Sequence, residues 1–145
     1  MIRSVLVVCN GNICRSPMAE GLLREALPGL SAQSAGLGAL VGEPPDPIAV
    51  GLLAERGVNI STHRAQQLTR LLAVQADLIL VMNNDQKGDV QCLYPQISGK
   101  VFRLGEESNV DIPDPYREPR QVFEQAFQLI QQGIGAWVRR IQALG

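Results

Sequence analysis

Histidine occurs once and cysteine three times in this chain of 145 residues, and aromatic residues make up only 4% of it. One histidine and no Cys-x2-Cys pair leave too few ligands for a structural zinc site. An odd cysteine count argues against a disulfide framework. In a reducing cytosol such thiols serve catalysis, metal binding or core packing. Charge of one sign is not in excess either, since 13 Lys and Arg face 14 Asp and Glu for a net charge of −1. Without a basic stripe, a nucleic-acid partner is not expected. Long apolar runs are missing too. The stretch Val5 to Cys9 is far too short to span a bilayer. No small-residue cleavage site follows it, so it does not read as a signal peptide. A cytoplasmic protein with no stable membrane insertion is expected.

What is present points to an ordinary globular chain. Hydrophobic residues make up 46% and charged residues 19%, unlike a disordered composition. The length suits one domain, residues 1–145. Folding at this size buries roughly two-thirds of the unfolded surface, enough for a core without staples.

Ser4 to Cys9 is a continuous β-branched and apolar run, the pattern of a strand buried on both faces. Asn10 to Ile13 is turn-prone. Ser16 is placed to cap a helix with Pro17 at its first position. Met18, Leu22, Leu23, Ala26 and Leu27 continue at helical spacing until Pro28-Gly29. Further strands are predicted over Leu30–Ser34, Leu78–Met82 and Val101–Leu104, and helices over Ile48–Arg56 and Asp85–Leu93. Arg64–Val74 carries an interrupted helical pattern. Gly36–Pro47 and Glu106–Glu118 read as loops. From Pro119 onward, Val122, Phe123, Ala126, Phe127, Leu129, Ile130, Ile134, Trp137, Val138 and Ile141 mark one face of a long helix. Gly133 and Gly135 weaken that helix, or mark close packing or a bend. Strands alternating with helices imply an α/β protein with a mostly parallel sheet between helices. Ligands then bind beyond the carboxyl ends of the strands.

The loop after the first strand reads Cys9-Asn10-Gly11-Asn12-Ile13-Cys14-Arg15-Ser16. It joins a buried strand to a helix start, where backbone N–H groups and the helix dipole favour an anion. It lacks the G-x-x-x-x-G-K-[ST] pattern of nucleotide loops. Gly11 permits a turn that a Cβ would hinder. A cysteine at the base of such a cradle is favoured as thiolate, which makes a strong nucleophile. Arg15 offers a planar fork able to hold two phosphate oxygens and to stabilise charge on a transferring group. Cys9 alone would read as a core cysteine at a strand end. Its placement with Gly11 and Arg15 favours chemistry. For Cys14, packing and a redox role fit equally.

A cysteine phosphatase also needs a proton donor for its leaving group. Asp114, in Asp111-Ile112-Pro113-Asp114-Pro115-Tyr116, sits between prolines that stiffen the loop. Asp111 is a neighbouring candidate for the same role.

The run Val8 to Pro17 resembles the signature of the low-molecular-weight protein tyrosine phosphatases, and Asp114-Pro115-Tyr116 resembles their acid loop. The resemblance covers essentially the whole chain. It implies a flavodoxin-like, four-stranded parallel sheet flanked by helices, with the phosphate-binding loop after the first strand. It implies Cys9 as nucleophile, Arg15 as phosphate clamp and Asp114 as general acid. No metal or other cofactor is implied. By the same resemblance Ser16 hydrogen-bonds the thiolate and Asn12 holds the loop in a strained shape. Ser34 and His63 support it, and Asn10, Gly11, Ile13, Cys14, Leu40 and Tyr116 border the substrate. Leu40 stands where many relatives carry an aromatic wall, and Asn10 where several have an apolar residue. The stretch Ser34 to Gly42 is similar to bacterial members linked to exopolysaccharide and capsule production. That implies a phosphotyrosine protein, a tyrosine autokinase, as partner. Two alternatives share these features. One is a thiol-coupled arsenate reductase of the same fold, for which only Cys92 lies downstream as a relay cysteine. The other is a phosphotyrosine-binding module without turnover.

Overall fold

The computed structural model describes residues 1–145. Four strands, β1 (Ser4–Cys9), β2 (Ser31–Gly36), β3 (Leu78–Val81) and β4 (Val101–Arg103), form one sheet in the order β2-β1-β3-β4. All pairings are parallel, with Cys9 opposite Gly36, Val8 opposite Val81 and Val81 opposite Arg103. Alternate residues of β1 serve two cores. Val5, Val7 and Cys9 belong to the larger one, together with α1 (Arg15–Ala26), α2 (Pro47–Ala54) and α5 (Arg120–Leu144). Leu6 and Val8 belong to the smaller one, under α3 (Arg70–Gln75) and α4 (Asn84–Leu93). Burial on both faces is why this strand carries no polar alternation.

The expected fold class holds, with several local corrections. Arg15 is the first residue of α1 and Cys14 occupies the cap position without a side-chain hydrogen bond. Ser16 therefore lies within the first turn and does not cap the helix, because its hydroxyl is engaged by Cys9 and Asn12. The helical pattern at Arg64–Val74 yields only α3, capped by Thr69. The residues before it are drawn out by main-chain bonds from Gly36 N to Gln66 O and from Leu68 N to Gly36 O. Helix α2 begins one residue earlier than expected, at Pro47, with Asp46 as its cap. A 3₁₀ helix at Pro95–Lys100 precedes β4 and has no counterpart in the sequence reading.

Helix α5 fixes the exit of β4. Trp137 Nε1 donates to the carbonyls of Arg103 and Leu104, each at 3.1 Å. A Cβ on Gly133 would stand 2.8 Å from both Leu104 O and Leu104 Cγ, so this glycine marks the close packing that the sequence allowed for. No helix is long and apolar enough to cross a membrane.

At the opposite edge, Asp77 Oδ2 accepts from Arg3 N at 2.8 Å and Ser4 N at 3.1 Å, tying the start of β3 to that of β1. The bond from Arg3 N is the leading cause of a carboxyl held below its ordinary range. A carboxyl lowered by folding stabilises the native state above its unfolded value of about 3.9, and that stability is lost as pH falls through the native value. Wild type should therefore melt above Asp77→Asn at pH 7. The difference should shrink steadily below about pH 4. Thermal melts at stepped pH check this, and a gap that widens on acidification would contradict it.

Candidate active site

Three loops leave the carboxyl edge of the sheet and meet over β1, at the reversal of strand order where such sheets hold ligands. The first, Asn10 to Cys14, joins β1 to α1. Its shape turns on Asn12, which is fully buried and has φ of 61°. That left-handed conformation is uncommon outside glycine, although asparagine tolerates it better than most. Surrounding bonds hold it there. Gln66 N donates to Asn12 Oδ1 at 2.8 Å, and His63 Nε2 donates to Asn12 O at 2.8 Å.

A backbone N–H is an unambiguous donor, so Gln66 fixes which end of the Asn12 amide is oxygen. Asn12 Nδ2 must then donate, and it reaches Ser16 Oγ at 2.8 Å and Ser34 Oγ at 3.0 Å. Ser34 passes its own proton to Glu20 Oε1 at 2.6 Å. Ser16 Oγ, accepting from Asn12, also lies in hydrogen-bond contact with Cys9 Sγ, 2.8 Å away. The Gln66 main-chain amide thus fixes the orientation of the Asn12 side chain, and through it the two bonds to Ser16 and Ser34.

Cys9 itself is 3% exposed, at the base of a cavity of about 210 Å³. Asn10, Gly11, Ile13, Cys14 and Arg15 line that cavity with it, and Leu40, Asp114 and Tyr116 form its outer wall. The second loop, after β2, is fastened to the first by bonds from Leu40 N to Gly11 O at 3.0 Å and from Asp46 N to Ile13 O at 2.8 Å. The third loop, after β4, is fastened through Arg15. That side chain is buried, and its Nη1 donates to Ile112 O at 2.8 Å. Its Nη2 lies 3.6 Å from Asp114 Oδ2, whose side chain is 44% exposed. Tyr116 N donates to the other oxygen of Asp114 at 3.1 Å.

The two remaining cysteines differ from Cys9. Burial pushes the Cys14 thiol far up, with the carboxylate of Asp46 adding to it, so Cys14 stays protonated. Cys92 is exposed on α4. A larger hollow of about 600 Å³ lies behind the loop. Glu20, Ser34 and His63 border it, but neither Cys9 nor Asp114 does. The candidate site is therefore the smaller cavity, which both Cys9 and Asp114 line.

All the residues singled out in the sequence are thus drawn to one place, either around the cavity or, for Asn12, Ser16, Ser34 and His63, behind it. Asp111 is not. It pairs with Arg103 Nη1 at 3.0 Å and is absent from the cavity wall, which leaves Asp114 as the carboxyl facing the pocket. The sequence reading missed Glu20, Gln66 and Gln86. Glu20 carried a signal, because a carboxylate four residues after Ser16 falls on the same helix face as that residue. Gln66 acts partly through its main chain and carried none.

The sequence model of the low molecular weight phosphotyrosine protein phosphatases matches residues 4–144. The chain belongs to that family. A Ralstonia solanacearum relative, the probable low molecular weight protein-tyrosine-phosphatase EpsP, is 59% identical over 145 residues, covering 100% of both chains. The crystal structure of the tyrosine phosphatase Wzb from Escherichia coli K30 in complex with sulphate superposes with a TM-score of 0.93. It is 38% identical and the match covers 97% of this chain and 99% of that one. Vibrio vulnificus Wzb in complex with benzylphosphonate is 39% identical with the same TM-score and coverage. This phosphatase is accordingly a cysteine-dependent protein-tyrosine phosphatase that works through a phosphocysteine intermediate.

Proposed function

We propose that Cys9 is the nucleophile, Arg15 the phosphate clamp and Asp114 the proton donor of this phosphatase. The observation that carries the assignment is the hydrogen-bond chain from Gln66 through Asn12 and Ser16, which ends on Cys9 Sγ at 2.8 Å in the cavity that Arg15 and Asp114 also line. In the first step the Cys9 thiolate attacks phosphorus in line. The phosphoryl oxygens rest on loop N–H groups and on the edge of Arg15 not committed to Ile112. Asp114 protonates the phenolic oxygen as it leaves. In the second step Asp114, now a carboxylate, takes a proton from water, which attacks phosphorus and releases the thiolate. Positioning and charge stabilisation supply the acceleration, as in phosphoryl transfer generally.

Depth supports tyrosine as the substrate residue. The sulfur is buried while Leu40 and Tyr116 stand at the rim, 40% and 39% exposed. A phenyl spacer carries phosphorus down to the sulfur, and the single methylene of phosphoserine does not. The protein partner is proposed to be a cytoplasmic tyrosine autokinase that governs exopolysaccharide or capsule production, on the strength of the likeness to EpsP and Wzb.

The test is turnover of a phosphotyrosine peptide against its phosphoserine counterpart, together with Asp114→Asn. Only the tyrosine peptide should be hydrolysed. Loss of the acid should lower kcat about 10²–10⁴-fold. That loss should be smaller for an aryl phosphate whose phenol is acidic enough to leave without help. Equal turnover of both peptides would refute the substrate assignment, and an equal loss on every leaving group would refute the role of Asp114.

A further inference from the structure

Gln86 is 2% exposed near the start of α4, a buried polar side chain. Its Oε1 accepts from Met82 N at 2.9 Å. Because that partner is a backbone donor, the other end of the Gln86 amide must be nitrogen. Gln86 Nε2 then donates to Asn10 Oδ1 at 3.2 Å. The same logic passes on one residue further. With its oxygen turned to Gln86, Asn10 keeps its amide NH₂ free, and that group donates to no protein acceptor. Asn10 is exposed and lines the catalytic cavity directly after Cys9.

The cavity has two levels. Cys9 and Arg15 lie at the bottom, 3% and 2% exposed, where the proposed mechanism puts the non-bridging phosphoryl oxygens. Asn10 belongs to the outer level with the half-exposed carboxyl of Asp114. At that level the ester oxygen sits in the first step and water in the second. The two oxygens differ in what they offer a donor. The phenolic oxygen takes a proton from Asp114, and its remaining lone pair conjugates with the ring. Water has two lone pairs, one to attack phosphorus and one to accept an N–H.

We propose that Asn10 is a catalytic residue of the second step, holding the attacking water by its amide N–H, and that Gln86 is the positioning residue that fixes the Asn10 amide. The step balances. The water oxygen forms a bond to phosphorus, one water proton passes to the Asp114 carboxylate, and the sulfur–phosphorus bond breaks with its electron pair returning to Cys9. The proposal rests on the assignment of Cys9 and Asp114 above.

The test follows phosphate bound to Cys9 by rapid quench with p-nitrophenyl phosphate. In Asn10→Leu, the phosphocysteine should form within about twofold of the wild-type rate and decay about tenfold more slowly, the cost of one hydrogen bond lost only in that transition state. Gln86→Glu places an acceptor where the donor was. Asn10 then turns its NH₂ inward, and decay should slow equally. In an Asn10→Leu background, Gln86→Glu should add nothing to the decay rate, whereas a merely structural Gln86 would add its effect in both. Because Asn10 is exposed, its variant remains decisive even if Gln86→Glu does not fold. Slower formation with unchanged decay, decay at the wild-type rate, or additive effects would each overturn the proposal. If wild type places no phosphate on Cys9, the nucleophile assignment itself fails and takes this inference with it.

Discussion

Cys9→Ser should lower kcat/KM for a phosphotyrosine peptide by at least about 10⁴-fold, the scale on which enzymes lose activity when a nucleophile is removed. The substitution exchanges one atom and keeps its neighbours. Ser16 can still donate to the new hydroxyl, and the loop geometry set by Asn12 does not depend on the sulfur. What is lost is nucleophilic power, since a serine hydroxyl is a far weaker nucleophile than a cysteine sulfur. The melting temperature should move little and the binding of phosphate should survive. The variant is then a trap that holds phosphotyrosine peptides without turning them over. Turnover within about tenfold of wild type would show that another group attacks phosphorus.

Arg15→Lys should cost about 10³-fold in kcat, the lower end of what arginines supply in phosphoryl transfer. Arg15 performs two tasks with one guanidinium. Nη1 satisfies the buried carbonyl of Ile112, and the other edge faces the cavity and Asp114. An ammonium is a single point and cannot present a fork in two directions. Whichever task lysine keeps, the other fails. If it turns to phosphate, the Ile112 carbonyl is left buried without a partner, a penalty of about 1–3 kcal/mol. The variant should therefore lose stability as well as rate. Measuring kcat, phosphate inhibition and melting temperature together separates the two tasks. A variant unchanged in all three would remove Arg15 from the account.

Much of this was legible in the chain because the informative features are local. The apolar run of β1, the loop after it and the helix that follows lie within one stretch of sequence, and their periodicities differ. The flanking prolines of Asp114 marked a stiff loop in the same way. The misreadings have tertiary causes. Ser16 looked like a helix cap because serine before proline usually is one, but a thiol and an amide across the loop claim its hydroxyl. Arg64–Val74 looked helical by spacing, but the end of β2 recruits the main chain of Gln66 and Leu68. Gln86 was invisible as a functional residue because Asn10, 76 residues away, is brought to it only by parallel pairing of β1 and β3. Choosing between Asp111 and Asp114 likewise required Arg103, which claims one of them from the neighbouring strand.

The bond from Arg15 to Ile112 has a meaning for selectivity. Ile112 is 1% exposed and its own N–H donates to Met82 O at 2.9 Å, so the acid loop is anchored on both sides before any substrate arrives. Many enzymes reject wrong substrates by closing a lid only over the right one. Here the proposed clamp and the proposed acid face each other at 3.6 Å without substrate, and the loop that carries the acid is pinned at Ile112. Discrimination has to be written into fixed walls, the depth of the cavity and the shape of its Leu40 and Tyr116 rim. On the proposed roles, an ester that reaches the sulfur meets clamp and acid already side by side, and one that falls short of it does not.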